Sequence, residues 1–121
     1  MKDFERLQSR TKRFALRIIK LYRSLPKTEE ARVLGKQMLR SGTSIGANYR
    51  AACRARSRAE FVAKLGVVLE EADESAFWPD LMQEAGIFSE EKLRDIVHEA
   101  KELVSIFVAS VRTAKGFTSS I

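Results

Sequence analysis

Four successive segments of this 121-residue sequence share an apolar repeat with alternating steps of three and four residues, and this repeat limits the folds that the chain can adopt. Such steps place one apolar seam along an α-helix and are typical of helices in bundles. The seams are Phe4, Leu7, Thr11, Phe14, Ile18, Leu21 and Leu25; Leu34, Met38, Ser41, Ile45, Asn48 and Ala52; Phe61, Leu65, Val68, Ala72 and Ser75; and Leu93, Ile96, Ala100, Leu103, Phe107, Ser110 and Ala114. The pattern predicts four helices, and strands have little support because no period-two alternation and no Asn-Gly hairpin turn is present.

Capping residues predict where these helices begin and end. The expected N-caps are Thr28, Ser57 and Ser89, each followed by carboxylates in the first turn. The expected stops are Pro26, Gly86 and Gly116. Pro79 lies inside the third pattern, where we expect it to kink the helix or end it early, because proline removes a backbone donor and clashes with the preceding turn. The short tail beyond Gly116 is expected to fray.

Short connections between the helices imply antiparallel neighbours. We therefore predict an all-α, antiparallel up-and-down four-helix bundle that forms one domain over residues 1–121, long enough to bury a core without disulfide or metal support. The lone Cys53 cannot form an intramolecular disulfide, and charged residues interrupt every apolar stretch before it reaches the roughly 20 residues of a membrane span. We expect a cytoplasmic protein that makes no membrane contact.

The net charge of +6 is unevenly distributed along the chain. Residues 1–26 carry eight Lys or Arg against two acids and residues 27–56 carry seven against two, whereas residues 57–88 carry two against seven. Such polarity steers a polyanion to the first half of the chain, or it holds a basic helix against an acidic neighbour. Both interpretations stay open. At least Glu71 or Glu74 is expected to reach an arginine of the second helix.

Residues of the kinds that carry catalysis are few. Cys53 lies among arginines, which lower a thiol pKa, but a small residue that fills a helix contact is the simpler interpretation. His98 follows Asp95 at the spacing of a di-iron carboxylate motif, yet such a site needs two copies and the sequence has one. We therefore expect a protein that is not an enzyme, without catalytic residues, metal site or cofactor.

The densest functional candidate is a group of basic residues centred on the turn between the second and third helices. Several cations on one surface bind phosphates, and arginine supplies a bidentate fork. The candidate nucleic-acid-binding residues are Lys12, Arg13, Lys20, Arg50, Arg54, Arg56, Arg58 and Lys64. A solvated corner between two helices has a similar composition. Tyr49, Phe77 and Trp78 are candidates for stacking on bases, although aromatic residues of a bundle more often fill its core.

The segment Arg40-Ser-Gly-Thr-Ser-Ile-Gly-Ala-Asn-Tyr-Arg50 carries a family resemblance, together with Leu25-Pro26 before it and Arg54-Ala-Arg-Ser-Arg-Ala-Glu-Phe61 after it. The matching stretches continue through Lys64-Leu65-Gly66, Glu71-Ala-Asp-Glu-Ser75 and Trp78. The sequence resembles, over nearly its whole length, the four-helix bundle proteins encoded in intervening sequences of bacterial ribosomal RNA genes. The signature residues that this resemblance marks are Ser44, Ile45, Asn48 and Tyr49, which we interpret as helix-packing residues.

The resemblance implies an antiparallel four-helix bundle that assembles as a homopentamer with a central channel. A related branch, the accessory proteins of diversity-generating retroelements, is similar in build and strongly basic, and it associates with nucleic acid and a reverse transcriptase. A reverse transcriptase or another protein is therefore a further candidate partner. The chain departs from the family pattern at Ala51, where a glutamate is common, and at Pro79, which replaces an apolar helix former.

These observations lead to two hypotheses. The first is a non-enzymatic homo-oligomer, a pentamer, that binds RNA or single-stranded DNA through basic residues of its first two helices. The small residues from Ser41 to Ala52 let another helix come close, and both they and the resemblance favour an oligomer. The alternative is a structural scaffold or protein-partner module in which the basic and acidic faces serve assembly. The criterion between the hypotheses is whether six cations share one exposed surface of the bundle. These cations are Lys12, Arg13, Lys20, Arg54, Arg56 and Arg58.

Overall fold

The computed structural model describes residues 3–116, which form four α-helices joined by short turns. Helix α1 spans Asp3–Arg23, α2 spans Glu29–Ala52, α3 spans Arg58–Glu84 and α4 spans Glu90–Lys115. Consecutive helices pack side by side, and α1 meets α4 more loosely to close the bundle. Because residues 3–116 also contain no strand, the predicted all-α, antiparallel four-helix bundle is confirmed. The tail expected to fray lies outside the described residues.

The predicted seams form the core of the bundle. The largest fully enclosed side chains include Phe14, Ile18, Met38, Ile45, Leu65, Met82, Leu103 and Phe107. Burial of each such side chain contributes about 1.5–3 kcal/mol relative to exposure. Phe4 was expected on the seam of the first helix but is 45% exposed, so the buried part of that seam begins one turn later, at Leu7.

The helix boundaries follow the predicted caps. Three hydroxyl groups accept from backbone N–H groups of the first turns: Thr28 from Ala31 at 3.3 Å, Ser57 from Glu60 at 3.1 Å and Ser89 from Lys92 at 3.2 Å. Gly86 and Gly116 adopt φ angles of 78° and 77°, the left-handed conformation that follows a helix end and that residues with a Cβ rarely tolerate. The predicted caps and glycine stops are therefore confirmed.

Pro79 does not end α3, which continues to Glu84. Of the two expected effects, the early end is therefore wrong, and the kink stays a prediction. The proline cannot donate to the carbonyl of Ser75 one turn earlier, so one helical hydrogen bond is missing. Met82, beyond the proline, is fully buried, and Phe88 in the turn after α3 is 6% exposed, so the segment beyond the proline buries apolar area that offsets the missing bond.

Small residues of α2 let α1 approach closely. A Cβ added at Gly42 would lie 2.7 Å from Cγ1 of Ile18, and one added at Gly46 would lie 3.3 Å from Oγ1 of Thr11. The prediction that small residues of the second helix admit a close neighbour is thus confirmed. That neighbour is a helix of the same chain, so these glycines are explained without a second subunit.

Two arginines form ion pairs that join neighbouring helices. Arg40 of α2 donates to a carboxylate oxygen of Glu71 at 2.9 Å and also to Glu74, both on α3, as predicted for this acidic run. Arg10 of α1 donates to both carboxylate oxygens of Glu99 on α4, each at 2.8 Å. Bidentate geometry of this kind fixes both side chains and is stronger than a single contact.

The Arg10–Glu99 pair predicts a specific acid sensitivity. The hydrogen bonds from Arg10 hold the pKa of Glu99 below its ordinary value of 4.5. A carboxylate with a lowered folded-state pKa stabilises the fold above the ordinary value, and this contribution is lost as the pH falls through the lower folded value. We expect the free energy of unfolding, measured by urea titration between pH 6 and pH 3, to fall less steeply in Glu99→Gln than in the native chain. Equal slopes in the two proteins would contradict this role.

Candidate nucleic-acid interface

A groove between α1 and α2 brings together three of the predicted cations. The groove encloses about 540 Å³. Its walls are formed by Gln8, Ser9, Lys12 and Ala15 on one side and by Thr43, Gly46, Ala47, Arg50 and Arg54 on the other. We call this feature the α1–α2 groove. It exists because small residues at its floor leave space beside the close contact between the two helices.

The α1–α2 groove is electropositive. Lys12, Arg50 and Arg54 line it with exposed side chains, and no carboxylate of residues 3–116 does. Within residues 3–116 none of these three cations lies within 4.0 Å of an acidic group. Three cations around polar groups and small side chains suit an anion that must come close to the backbone.

Two other predicted residues lie on the opposite flank of α1. Arg13 lines a cleft of about 400 Å³ between α1 and α4, where the carboxylate of Glu99 is also present. Lys20 lines a neighbouring cleft that contains Lys92 and Asp95 of α4. The six discriminating cations therefore do not share one exposed surface, which counts against a single broad basic face, and acidic groups accompany the cations on this flank.

The remaining predicted cations surround the turn between α2 and α3. The side chain of Arg56 is 92% exposed, and its Nε lies 4.0 Å from a carboxylate oxygen of Glu60. Arg58 instead donates through Nε to the backbone carbonyl of Ala114 at 2.6 Å, so its charge lies at the negative end of the α4 dipole. Lys64 is half-buried on α3. Arg58 thus caps another helix, and that contact depends on the packing of α3 beside α4.

The signature residues lie along α2, where they pack or bond within the helix. Ile45 is fully buried, and the Tyr49 ring is 5% exposed with its centroid 5.3 Å from that of Phe107. Nδ2 of Asn48 donates to the carbonyl of Ser44 at 2.9 Å. Tyr49 is therefore a core residue and does not offer its face to a base.

The other singled-out residues are dispersed. Cys53 is half-buried against the core at the end of α2, and His98 is exposed with Nε2 3.6 Å from Glu102. In the part of the chain that the structure describes, no group of three or more His, Cys, Asp or Glu is placed to hold one metal ion. None of the four helices combines the length and apolar character needed to cross a membrane.

Sequence reasoning missed the polar groups that accompany the cations of the groove. Gln8 and Ser9 line it outside any charged cluster or motif, and Thr43 lines it from within the segment that carries the family resemblance. Their spacing was informative, because Gln8 and Ser9 lie four and three positions before Lys12, Thr43 lies seven before Arg50, and such spacings place residues on one side of a helix. To use that spacing, it is necessary to know which flank of α1 faces α2, and tertiary packing decides this.

Comparisons with known proteins assign the fold to a family. A family model described as 23S rRNA-intervening sequence protein matches residues 5–109. A crystal structure of a protein of unknown function, from the S23 ribosomal protein family of Bacteroides thetaiotaomicron VPI-5482, superposes with a TM-score of 0.84 at 34% sequence identity, covering 92% of this chain and 99% of that one. No curated protein matches the chain. The chain belongs to the 23S rRNA-intervening sequence protein family.

Proposed function

We propose that this protein is a non-enzymatic homo-oligomer that binds nucleic acid through the α1–α2 groove. The observation that carries the proposal is the set of three exposed cations, Lys12, Arg50 and Arg54, around a groove without a carboxylate. Phosphate contacts of this kind dominate the affinity of sequence-independent binding to nucleic acids.

The composition of the groove favours contacts to the backbone of the nucleic acid over the reading of its sequence. Arginine forks and a lysine suit phosphate oxygens, and Gln8, Ser9 and Thr43 add neutral hydrogen-bonding groups. The small side chains of Ala15, Gly46 and Ala47 keep the floor low, so a strand can approach the helices closely. The names of the family and of the solved relative refer to 23S rRNA and to a ribosomal protein family, which makes single-stranded RNA the first probe to test.

The proposal predicts a salt-dependent affinity that the groove residues control. The measurement is fluorescence anisotropy with a labelled single-stranded RNA of about 16 nucleotides, between about 50 and 200 mM salt. Each phosphate contact contributes about 0.7 to the slope of log affinity against log salt on a single strand. Replacing Lys12, Arg50 and Arg54 together by alanine is expected to lower that slope by about two units and to leave the thermal melt unchanged.

A second triple variant controls for net charge. Lys92→Ala, Arg94→Ala and Lys101→Ala remove three exposed cations from α4 and are expected to leave the slope close to that of the native protein. An equal loss in both variants would show that binding is diffuse and not placed in the groove. Native protein that shows no salt-sensitive retention of RNA or single-stranded DNA at about 50 mM salt would refute nucleic-acid binding.

The scaffold alternative has its own support, because the basic outer face of α1 and the acidic outer face of α3 are complementary in charge. It predicts self-association without nucleic-acid binding. The same salt titration, together with a mass measurement, separates the two functions. A reverse transcriptase or another protein is a further proposed partner, and this proposal applies to the assembled homo-oligomer.

A further inference from the structure

Two exposed ridges on opposite corners of the bundle have matching patterns. The ridge on α1 is Arg13, Leu16, Lys20 and Arg23, and we call it the α1 ridge. The ridge on α3 is Glu70, Asp73, Phe77 and Asp80, and we call it the α3 ridge. Spacings of three and four residues place the members of each ridge along one side of their helix.

Each ridge has one exposed apolar side chain at its centre. Leu16 is 58% exposed and Phe77 is 55% exposed, the two largest values among the exposed apolar side chains of the described chain. Cations lie one turn before and one turn after Leu16, at Arg13 and Lys20. Acids flank Phe77 in the same way, at Asp73 and Asp80. An apolar contact between the two centres would therefore be framed by opposite charges on both sides.

The charged side chains of the two ridges form no close ion pair within residues 3–116, because none of them lies within 4.0 Å of an opposite charge there. Helix α1 contacts α2 and α4 but not α3, so one copy cannot bring its two ridges together. A second copy of this chain carries both kinds of ridge and can therefore cover each of them.

We infer that the α1 ridge of one copy docks on the α3 ridge of the next copy of this chain. The inference rests on the homo-oligomer part of the proposed function and identifies its interface. Two different surfaces that meet in this way form a heterologous contact, which repeats from copy to copy until a ring closes or an open chain grows. The contact leaves Lys12, Arg50 and Arg54 of the α1–α2 groove outside the ridges.

The test uses two variants that each block one ridge. Leu16→Asp places a negative charge opposite the acids of the α3 ridge, and Phe77→Lys places a positive charge opposite the cations of the α1 ridge. Both side chains are more than half exposed, so both variants are expected to fold, as checked by circular dichroism melting. Light scattering after size exclusion is expected to give an oligomer for the native chain and 13.7 kDa monomers for each variant.

Mixing the variants gives the decisive result. Leu16→Asp retains an intact α3 ridge and Phe77→Lys retains an intact α1 ridge, so a heterologous contact predicts a 1:1 complex of twice the 13.7 kDa chain mass and nothing larger. Val33→Asp is the matched control, because Val33 of α2 is 51% exposed and lies outside both ridges. This control is expected to assemble like the native chain.

Each contrary outcome has a distinct meaning. A native chain that is monomeric at all concentrations overturns the homo-oligomer part of the proposed function and this interface with it. Variants that still assemble show that a different surface holds the oligomer. Monomeric variants that stay separate on mixing show that the two ridges do not dock on each other, and this overturns the inference.

Discussion

Gly42→Ala is expected to destabilise the bundle by about 2 kcal/mol, although alanine is the better helix former. The new Cβ would lie 2.7 Å from Cγ1 and 2.9 Å from Cγ2 of Ile18, a fully buried side chain that cannot move without displacing the core. Overpacking of this kind costs about 1–3 kcal/mol. The higher helix propensity of alanine returns at most about 1 kcal/mol. Urea unfolding monitored by circular dichroism measures the net effect.

Gly66→Ala is the matched control for this prediction. Gly66 lies within α3, and an added Cβ there meets nothing within 4 Å. Its replacement is expected to stabilise the protein by about 0.5–1 kcal/mol, from backbone entropy and helix propensity alone. Equal changes in the free energy of unfolding, in the same direction for both variants, would contradict close packing of α1 against α2 at Gly42.

Arg40→Ala is expected to cost about 2–3 kcal/mol because it leaves the carboxylate of Glu71 without its partner. The side chain of Glu71 is 12% exposed, whereas that of Arg40 is 49% exposed. Removing one member of a fully buried pair costs about 3–5 kcal/mol, and the exposure of Arg40 places the expected value below that range. Chemical denaturation of the variant gives the value.

A double-mutant cycle isolates the cost of leaving the charge of Glu71 without its partner. Glu71→Gln removes the charge that Arg40 neutralises, so Arg40→Ala is expected to cost less in the Glu71→Gln background than in the native one. Arg32→Ala is the surface control, because Arg32 and its partner Glu29 are 59% and 74% exposed and such pairs contribute about 1 kcal/mol or less. Equal costs for Arg40→Ala in the two backgrounds would show that the pair carries no coupling energy.

Local interactions explain why so much of the fold could be predicted from the sequence. A cap such as Ser57 acts on a backbone group three residues away, and the apolar seams follow directly from the helical repeat. Pro79 shows the limit of this reasoning. Its local cost was correctly recognised, but the burial of side chains beyond it, such as Met82, offsets that cost, and burial depends on the neighbouring helices.

The candidate site was less predictable because the charge of a residue does not indicate which side of the bundle its side chain faces. Lys12 and Arg13 are adjacent in the sequence, yet one lines the α1–α2 groove and the other the cleft beside α4. Arg56 and Arg58 look equivalent in the sequence, yet one extends into solvent and the other caps the end of α4. The small residues of α2 also had two interpretations, and the contact of Gly42 with Ile18 assigns them to packing within the chain.

Photo-crosslinking from the floor of the α1–α2 groove tests directly whether nucleic acid binds in that groove. Ala47 is exposed and lines the groove, whereas Ala109 is exposed on α4. A benzophenone side chain placed at position 47 is expected to crosslink to single-stranded RNA on irradiation at about 50 mM salt, and the same group at position 109 is expected to give little product. Crosslinking at position 109 that equals or exceeds that at position 47 would contradict nucleic-acid binding in the groove.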